Sequence, residues 1–197
     1  MYKYPPNLFI YLDRFNSQIF KNNNTNIGII YRNYHSSKRE IELLKIANAC
    51  KRKRYPLYVS NDLKLTIKVK ADGIYIPSFN KSKKFSNLEK KNIKIIGSAH
   101  NQKEINEKIS QKCTNLFLSP IFSVKKKNTF LNIHKFNYLS RLNKINVFAL
   151  GGINENNIRK LKLLHIKGFG GIGIFKKKPA SKRPVFIKNN LFFKSII

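Results

Sequence analysis

Cysteine and acid are the two scarcities of this sequence. Only Cys50 and Cys113 occur in 197 residues. They lie far apart, in helix-like patterns and without metal-ligand spacing, which excludes a disulfide-framed fold and a Cys/His metal cluster. Both are expected as reduced thiols, buried or half-buried. Nine acidic residues face forty Lys and Arg, and only Asp13, Asp62 and Asp72 are aspartates, so a site needing several carboxylates has few candidates. Long apolar runs are missing too. None approaches the roughly 18 to 20 residues of a membrane-spanning helix, and no membrane partner is expected. The opening residues, Met1-Tyr2-Lys3-Tyr4-Pro5-Pro6, do not form a charged region followed by an apolar stretch and a small-residue cleavage site. No secretory signal is therefore expected, and the location is expected to be cytoplasmic.

What the chain has in abundance is positive charge, formally +31. Lys and Arg neutralise phosphates, so a nucleic-acid partner has to be weighed. The lysines run along the whole sequence together with much Asn and Ile, and no zinc finger, aromatic ribonucleoprotein motif or basic region with heptads accompanies them. A solvated surface that attracts phosphate is the expectation, without a dedicated nucleic-acid function.

Short apolar runs alternate with polar, helix-compatible segments, which predicts parallel strands joined by crossover helices. Eight runs suit strands buried on both faces: Leu8 to Leu12, Ile27 to Arg32, Leu57 to Ser60, Gly73 to Ile76, Lys94 to Gly97, Asn115 to Ser119, Asn146 to Leu150 and Gly170 to Ile174. Ser37 to Lys51, Asn101 to Lys112, His134 to Leu142 and Glu155 to Leu164 carry apolar residues at three- and four-residue spacing, as amphipathic helices do. Leu43, Ile46, Ala47 and Cys50 would share one face. Asn101 and Asn154 are candidate helix N-caps. Between the first two strands there is room for a short helix only. The architecture expected is an α/β single (β/α)8 barrel over residues 1–178, followed by a basic, irregular tail over 179–197. Pro179 and Pro184 oppose an eighth helix, since proline inside a helix costs about 3 kcal/mol.

Ligands of such barrels bind where the strands end. Asn61-Asp62 follows the third strand, Ser98-Ala99-His100 the fifth, and Ser119-Pro120-Ile121-Phe122 with Lys125, Lys126 and Lys127 the sixth. Gly151-Gly152-Ile153 follows the seventh, where bare backbone N–H groups near a helix start can hold an oxyanion. Each has a plainer reading beside it. Asn61-Asp62 could cap a helix, Arg32 could be a strand-end surface charge, the lysines a solvated loop, His100 a packed or capping histidine, and the glycines a tight turn.

The order of these segments resembles the thiamine phosphate synthase / thiazole tautomerase family. Leu57-Tyr58-Val59-Ser60-Asn61-Asp62 and Ala71-Asp72-Gly73-Ile74-Tyr75-Ile76 look like the family's Asn-Asp strand end and its Ala-Asp-Gly-Val-His-Leu strand. Ile95-Ile96-Gly97-Ser98-Ala99-His100-Asn101 looks like its Gly-x-Ser-x-His segment. Leu118-Ser119-Pro120-Ile121-Phe122 resembles Gly-Pro-Ile-Phe/Tyr, and Val147-Phe148-Ala149-Leu150-Gly151-Gly152-Ile153 resembles the Gly-Gly-Ile run. The likeness spans roughly residues 8 to 176.

That resemblance implies a transferase joining an aminopyrimidine pyrophosphate to a thiazole phosphate with release of pyrophosphate, and it implies Mg²⁺ as cofactor and small phosphorylated substrates as partners. It assigns Asn61 and Ser98 to pyrophosphate, Asp62 to the metal, Arg32 to the family's strand-two arginine, and Lys126 or Lys127 to its lysine after strand six. Gly152, beside Gly151, would offer backbone N–H to the thiazole phosphate, with Gly171 among the glycines of the eighth strand; after it Phe175-Lys176-Lys177 replaces the family's small and hydroxyl residues, and Lys176 there could still pair with phosphate as a point charge. The chain also departs from the pattern. Ile30-Tyr31-Arg32-Asn33-Tyr34 lacks the Gln and Lys of Gln-x-Arg-x-Lys, and Pro77-Ser78-Phe79-Asn80 stands where the family has acidic residues, so the second metal carboxylate is gone. Two other readings follow: a thiazole tautomerase-like enzyme in which His100 moves a proton, and a non-catalytic binder of a phosphorylated metabolite or nucleic acid.

Overall fold

The structure, a computed structural model, describes residues 6–21, 26–34, 36–88, 92–124 and 129–171. Eight parallel strands run in chain order around a closed barrel: β1 Leu8–Leu12, β2 Ile27–Tyr31, β3 Leu57–Ser60, β4 Gly73–Ile76, β5 Lys94–Ala99, β6 Asn115–Leu118, β7 Asn146–Leu150 and β8 Gly168–Gly171. β1 closes the ring by pairing with both β2 and β8. Helices α1 Arg39–Lys53, α2 Leu63–Lys68, α3 Gln102–Ser110 and α4 Asn132–Leu142 lie between strands, with 3-10 turns at Ile19–Lys21, Lys83–Phe85 and Ile158–Leu163. The expected α/β barrel is the fold observed.

Alternation along the strands sorts side chains into two cores. Phe9, Tyr11, Ile30, Tyr58, Tyr75, Ile96, Phe117 and Phe148 point inward and fill the barrel. Their rings meet edge to face: Phe9 and Phe117 centroids are 5.0 Å apart at 87°, and Tyr11 and Tyr75 are 5.5 Å apart at 86°. So many large rings fit because Gly28 and Gly170 leave room. A Cβ on Gly28 would lie 2.7 Å from the Phe9 ring, and one on Gly170 3.0 Å from that of Tyr11. The outward file, with Ile10, Ile29, Val59, Leu118 and Ala149, packs under the helices against Leu43, Ile46, Phe136, Leu139 and Leu161.

Several boundaries differ from the sequence reading. β8 begins at Gly168, two residues before its expected start, because Gly168 and Phe169 already pair with Phe148 and Ala149. β5 runs on to Ala99, while β2 and β6 each stop one residue short. The segment expected as a helix over Glu155 to Leu164 is a 3-10 turn instead. There the Asn154 side chain accepts from the N–H groups of Asn156 and Asn157, as a helix N-cap does, but the backbone bonds that follow, Lys160 N to Asn157 O and Leu164 N to Leu161 O, are of the tighter three-residue kind. On α1 the buried face is Leu43, Ile46, Ala49 and Cys50, with Ala47 only partly buried. Cys50 and Cys113 are buried and unpaired. Asn101 caps α3 as expected, accepting from Glu104 N. An eighth helix and the tail over 179–197 lie outside the described residues.

Candidate active site

At the C-terminal ends of the strands the inward files turn from apolar to polar. Arg32 continues the file of Ile30, Ser60 that of Tyr58, and Ser98 that of Ile96, and the Arg32 N–H still bonds to the Leu12 carbonyl at 2.9 Å. The Arg32 guanidinium lies 5.8 Å from the centroid of the Tyr11 ring and pairs loosely with Asp13, 3.6 Å away. Ser98 is buried beside the Tyr75 hydroxyl.

Three tyrosines gather at this mouth. Burial raises the pKa of Tyr11, Tyr34 and Tyr75, so all three are neutral phenols that can donate hydrogen bonds. Tyr34 shares a 2.7 Å hydrogen bond with the Ser60 hydroxyl and meets Phe79 edge-on. The Tyr11 hydroxyl lies beside that of Tyr75, close enough to raise its pKa further, but short of a well-formed hydrogen bond.

Asn61 adopts the left-handed backbone, φ 57°, which asparagine tolerates. Its side-chain oxygen accepts from the Asn80 amide, tying the end of β3 to the loop after β4. That loop is fixed in turn by Lys108, buried in α3, whose Nζ donates to the Asn80 carbonyl at 2.7 Å and to Gln111 at 2.9 Å.

Asp62 is the N-cap of α2. One oxygen accepts from Leu65 N at 3.0 Å, and the other from Arg39 Nη1 at 2.8 Å. Arg39 also donates from Nη2 to the Ser60 carbonyl at 2.7 Å. The sequence reading does not single out Arg39, although its position holds a signal. A cation in the first turn of a helix opposes the helix dipole and calls for a nearby carboxylate.

His100 lies at the end of β5, where one oxygen of Glu104 bonds to both its ring Nδ1 and its backbone N–H, each at 2.8 Å. It lines a cavity of about 420 Å³ with Phe79, Lys81, Ser119, Phe130 and Lys135. A second cavity of about 580 Å³ opens over Tyr11, Asp13, Arg14 and Phe15. Gly151 and Gly152 both have positive φ, 90° and 73°, and the loop after β6 lies directly on them: Phe122 N bonds to the Gly151 carbonyl at 3.2 Å. Asn157 Nδ2 pins the Gly152 carbonyl at 2.8 Å. Gly171 lies within β8, paired with Ile10. Lys126, Lys127 and Lys176 lie outside the described residues.

The mouth therefore has Arg32, Asn61 and Asp62 on the adjoining ends of β2 and β3, Ser98 and His100 at the end of β5 beyond β4, and the glycines further round the ring after β7. Mg²⁺ fits this donor set poorly. It binds through oxygen ligands, typically one or two carboxylates, and both Asp62 oxygens are already engaged. Among the described residues, no three His, Cys, Asp or Glu side chains come together to hold a metal ion. Among the same residues, no helix is long and apolar enough to cross a membrane.

Fold and mouth together define an α/β barrel with a polar site at the C-terminal strand ends. The family described as thiamine monophosphate synthase matches residues 23–173. The thiamine-phosphate synthase of Prochlorococcus marinus strain SARG is 32% identical over 130 residues, covering 64% of this chain and 37% of that protein. That of Prochlorococcus marinus subsp. pastoris is 32% identical over 124 residues, covering 61% of this chain and 35% of that protein. The chain thus spans about a third of the length of these relatives. Among solved structures, thiamine phosphate pyrophosphorylase from Pyrococcus furiosus superposes with a TM-score of 0.69 at 16% identity, covering 84% of this chain and 85% of that one. A structure described as native KDPGal superposes with a TM-score of 0.64 at 14% identity, covering 92% and 88%. The chain belongs to the thiamine monophosphate synthase family, a family of transferase-type enzymes.

Proposed function

We propose that the chain joins hydroxymethylpyrimidine pyrophosphate to a thiazole phosphate and releases pyrophosphate, as a thiamine phosphate synthase-like transferase. The observation that carries this reading is the gathering of Arg32, Asn61 and Ser98, from the C-terminal ends of β2, β3 and β5, at one mouth floored by neutral phenols. In the reaction, the bond from the pyrimidine methylene carbon to pyrophosphate oxygen breaks, its electron pair leaves with pyrophosphate, and the thiazole nitrogen supplies the pair of the new bond. Arg32 stabilises the charge that builds on the departing oxygen, while Asn61 and Ser98 donate to the pyrophosphate. Gly152 offers backbone N–H to the thiazole phosphate, and Lys126, Lys127 and Lys176 add cations. Holding both rings in line supplies most of what the protein contributes beyond electrostatics. No step is routed through Mg²⁺, because the carboxylate assigned to it is committed elsewhere. A reducing compartment such as the cytoplasm suits two buried free thiols.

A second reading has an observation of its own. Glu104 fixes the His100 ring through Nδ1 beside a cavity, the arrangement of a proton-transfer pair, which favours a tautomerase-like reaction on a thiazole phosphate.

Pyrophosphate release from the pyrimidine pyrophosphate, with and without thiazole phosphate, separates the two. Release that needs both substrates and falls about 100-fold or more in Arg32→Ala supports the synthase. No release by folded protein, with a thiazole proton exchange that His100→Ala abolishes, supports the tautomerase.

A further inference from the structure

The chain has three aspartates, and each is engaged. Asp13 pairs with Arg32. Asp72 accepts from Leu57 N at 2.9 Å. Asp62 spends one oxygen on the cap of α2 and the other on Arg39. Ser78 and Phe79 stand after β4, where the resemblance placed a second metal carboxylate, and Glu104 is held by His100. A divalent cation taking Asp62 would share a carboxylate that already caps α2 and pairs with Arg39, would sit beside the positive guanidinium, and would weaken the hold on it. That side chain is only 18% exposed, and a buried charge left without its partner is costly.

Arg39 is built for the opposite task. Its two terminal nitrogens are fixed by Asp62 and the Ser60 carbonyl. Its Nε is buried and has no acceptor in the protein. Such a donor calls for an acceptor, which a cation is not and an anion is. Tyr34, hydrogen-bonded to Ser60, lies in the fields of both Arg32 and Arg39, so two guanidinium groups flank one pair of hydroxyls at the ends of β2 and β3. Guanidinium is always charged, and its planar fork matches phosphate oxygens.

We infer that Arg39 takes the place of a divalent cation in this mouth, and that with Arg32 it holds a pyrophosphate group without metal. The inference rests on the synthase-like reading of the site and adds a residue that the family resemblance did not assign. Asp62 becomes a brace for Arg39.

The test uses the full chain and two probes, Mn²⁺ alone followed by electron paramagnetic resonance, and inorganic pyrophosphate followed by calorimetry in EDTA or in Mg²⁺. The expected results are no micromolar Mn²⁺ site and the same pyrophosphate affinity in both buffers. Arg39→Ala should weaken pyrophosphate by about tenfold or more, the loss of a charged hydrogen bond. Arg39→Lys, which keeps the charge and packs in a similar volume, should fall between, and it serves if the alanine variant does not fold. A micromolar Mn²⁺ site removed by Asp62→Asn, pyrophosphate binding that requires Mg²⁺, or undiminished binding in folded Arg39 variants would overturn the inference and leave the synthase-like reading standing. Absence of pyrophosphate binding in either buffer would overturn both.

Discussion

One oxygen of Glu104 holds His100 twice, through the imidazole Nδ1 and through the backbone N–H, each at 2.8 Å. The Glu104 N–H is bonded in turn to the Asn101 side chain. The pair therefore closes the start of α3 in the manner of a capping box, with the carboxylate reaching back to an otherwise unpaired N–H.

The two residues should separate cleanly by mutation. Glu104→Ala removes the reciprocal cap and is expected to cost about 1 to 2 kcal/mol in urea unfolding. His100→Ala leaves the backbone N–H in place and should cost less than about 1 kcal/mol. Equal losses in the two variants would mean that the imidazole contact, and not the cap, fixes this corner of the mouth.

Tyr11 offers the reverse case. Its hydroxyl is buried at the top of the barrel core without a well-formed hydrogen bond, and burying an unsatisfied hydroxyl is unfavourable. Tyr11→Phe keeps the ring packing against Phe117 and Tyr75 and removes only that hydroxyl. The unliganded protein should unfold at an equal or higher urea midpoint. A loss above about 1 kcal/mol would show that the hydroxyl is satisfied in the free protein.

How far the sequence discloses this molecule depends on the range of the interactions. Continuous apolar runs such as Leu8 to Leu12 read as strands because both faces of a barrel strand are buried. Asn101 reads as a cap because capping is decided within four residues. The segment at Ile158–Leu163 reads as an α-helix because its apolar spacing and its Asn154 cap fit one, while its backbone bonds close three residues back and leave it a 3-10 turn. For Asp62 both readings are available in the sequence. The cap follows from neighbours, but the bond to Arg39 spans 23 positions and no local pattern announces it. The Asn61 to Asn80 contact and the anchoring of Asn80 by buried Lys108 escape for the same reason. Long-range polar pairs carry no periodicity.

Gly152 tests whether the loop after β7 is held as tightly as it looks. Its φ of 73° is strained for a residue with a side chain, and a Cβ there would collide with the Phe122 carbonyl. Gly152→Ala is expected to lose about 1 to 3 kcal/mol, read as a fall in thermal midpoint. It should also disturb the loop after β6, visible as faster amide exchange at Ile121 and Phe122, whose N–H groups bond to Leu150 and Gly151. Exchange unchanged at both residues would mean that the two loops are not coupled.

Alkaline pH should weaken the fold, with the buried thiols in the lead. Burial pushes the Cys113 thiol up to about 12 and that of Cys50 higher still. In the unfolded chain such thiols lose their protons from about pH 8.5. Above that pH the unfolded state binds fewer protons than the folded one, so stability falls as pH rises. Tyr11 and Tyr75, also raised by burial, add the same sign above about pH 10. Lys108 acts against them. Burial lowers its pKa, so the folded state binds fewer protons at that site and gains stability as pH rises toward about 10.4. With two thiols against one amine, the urea midpoint should decline between about pH 8.5 and pH 10, and Cys113→Ala should show a shallower decline than the parent. Parallel curves for the two proteins would mean that the Cys113 thiol ionises as readily in the fold as outside it.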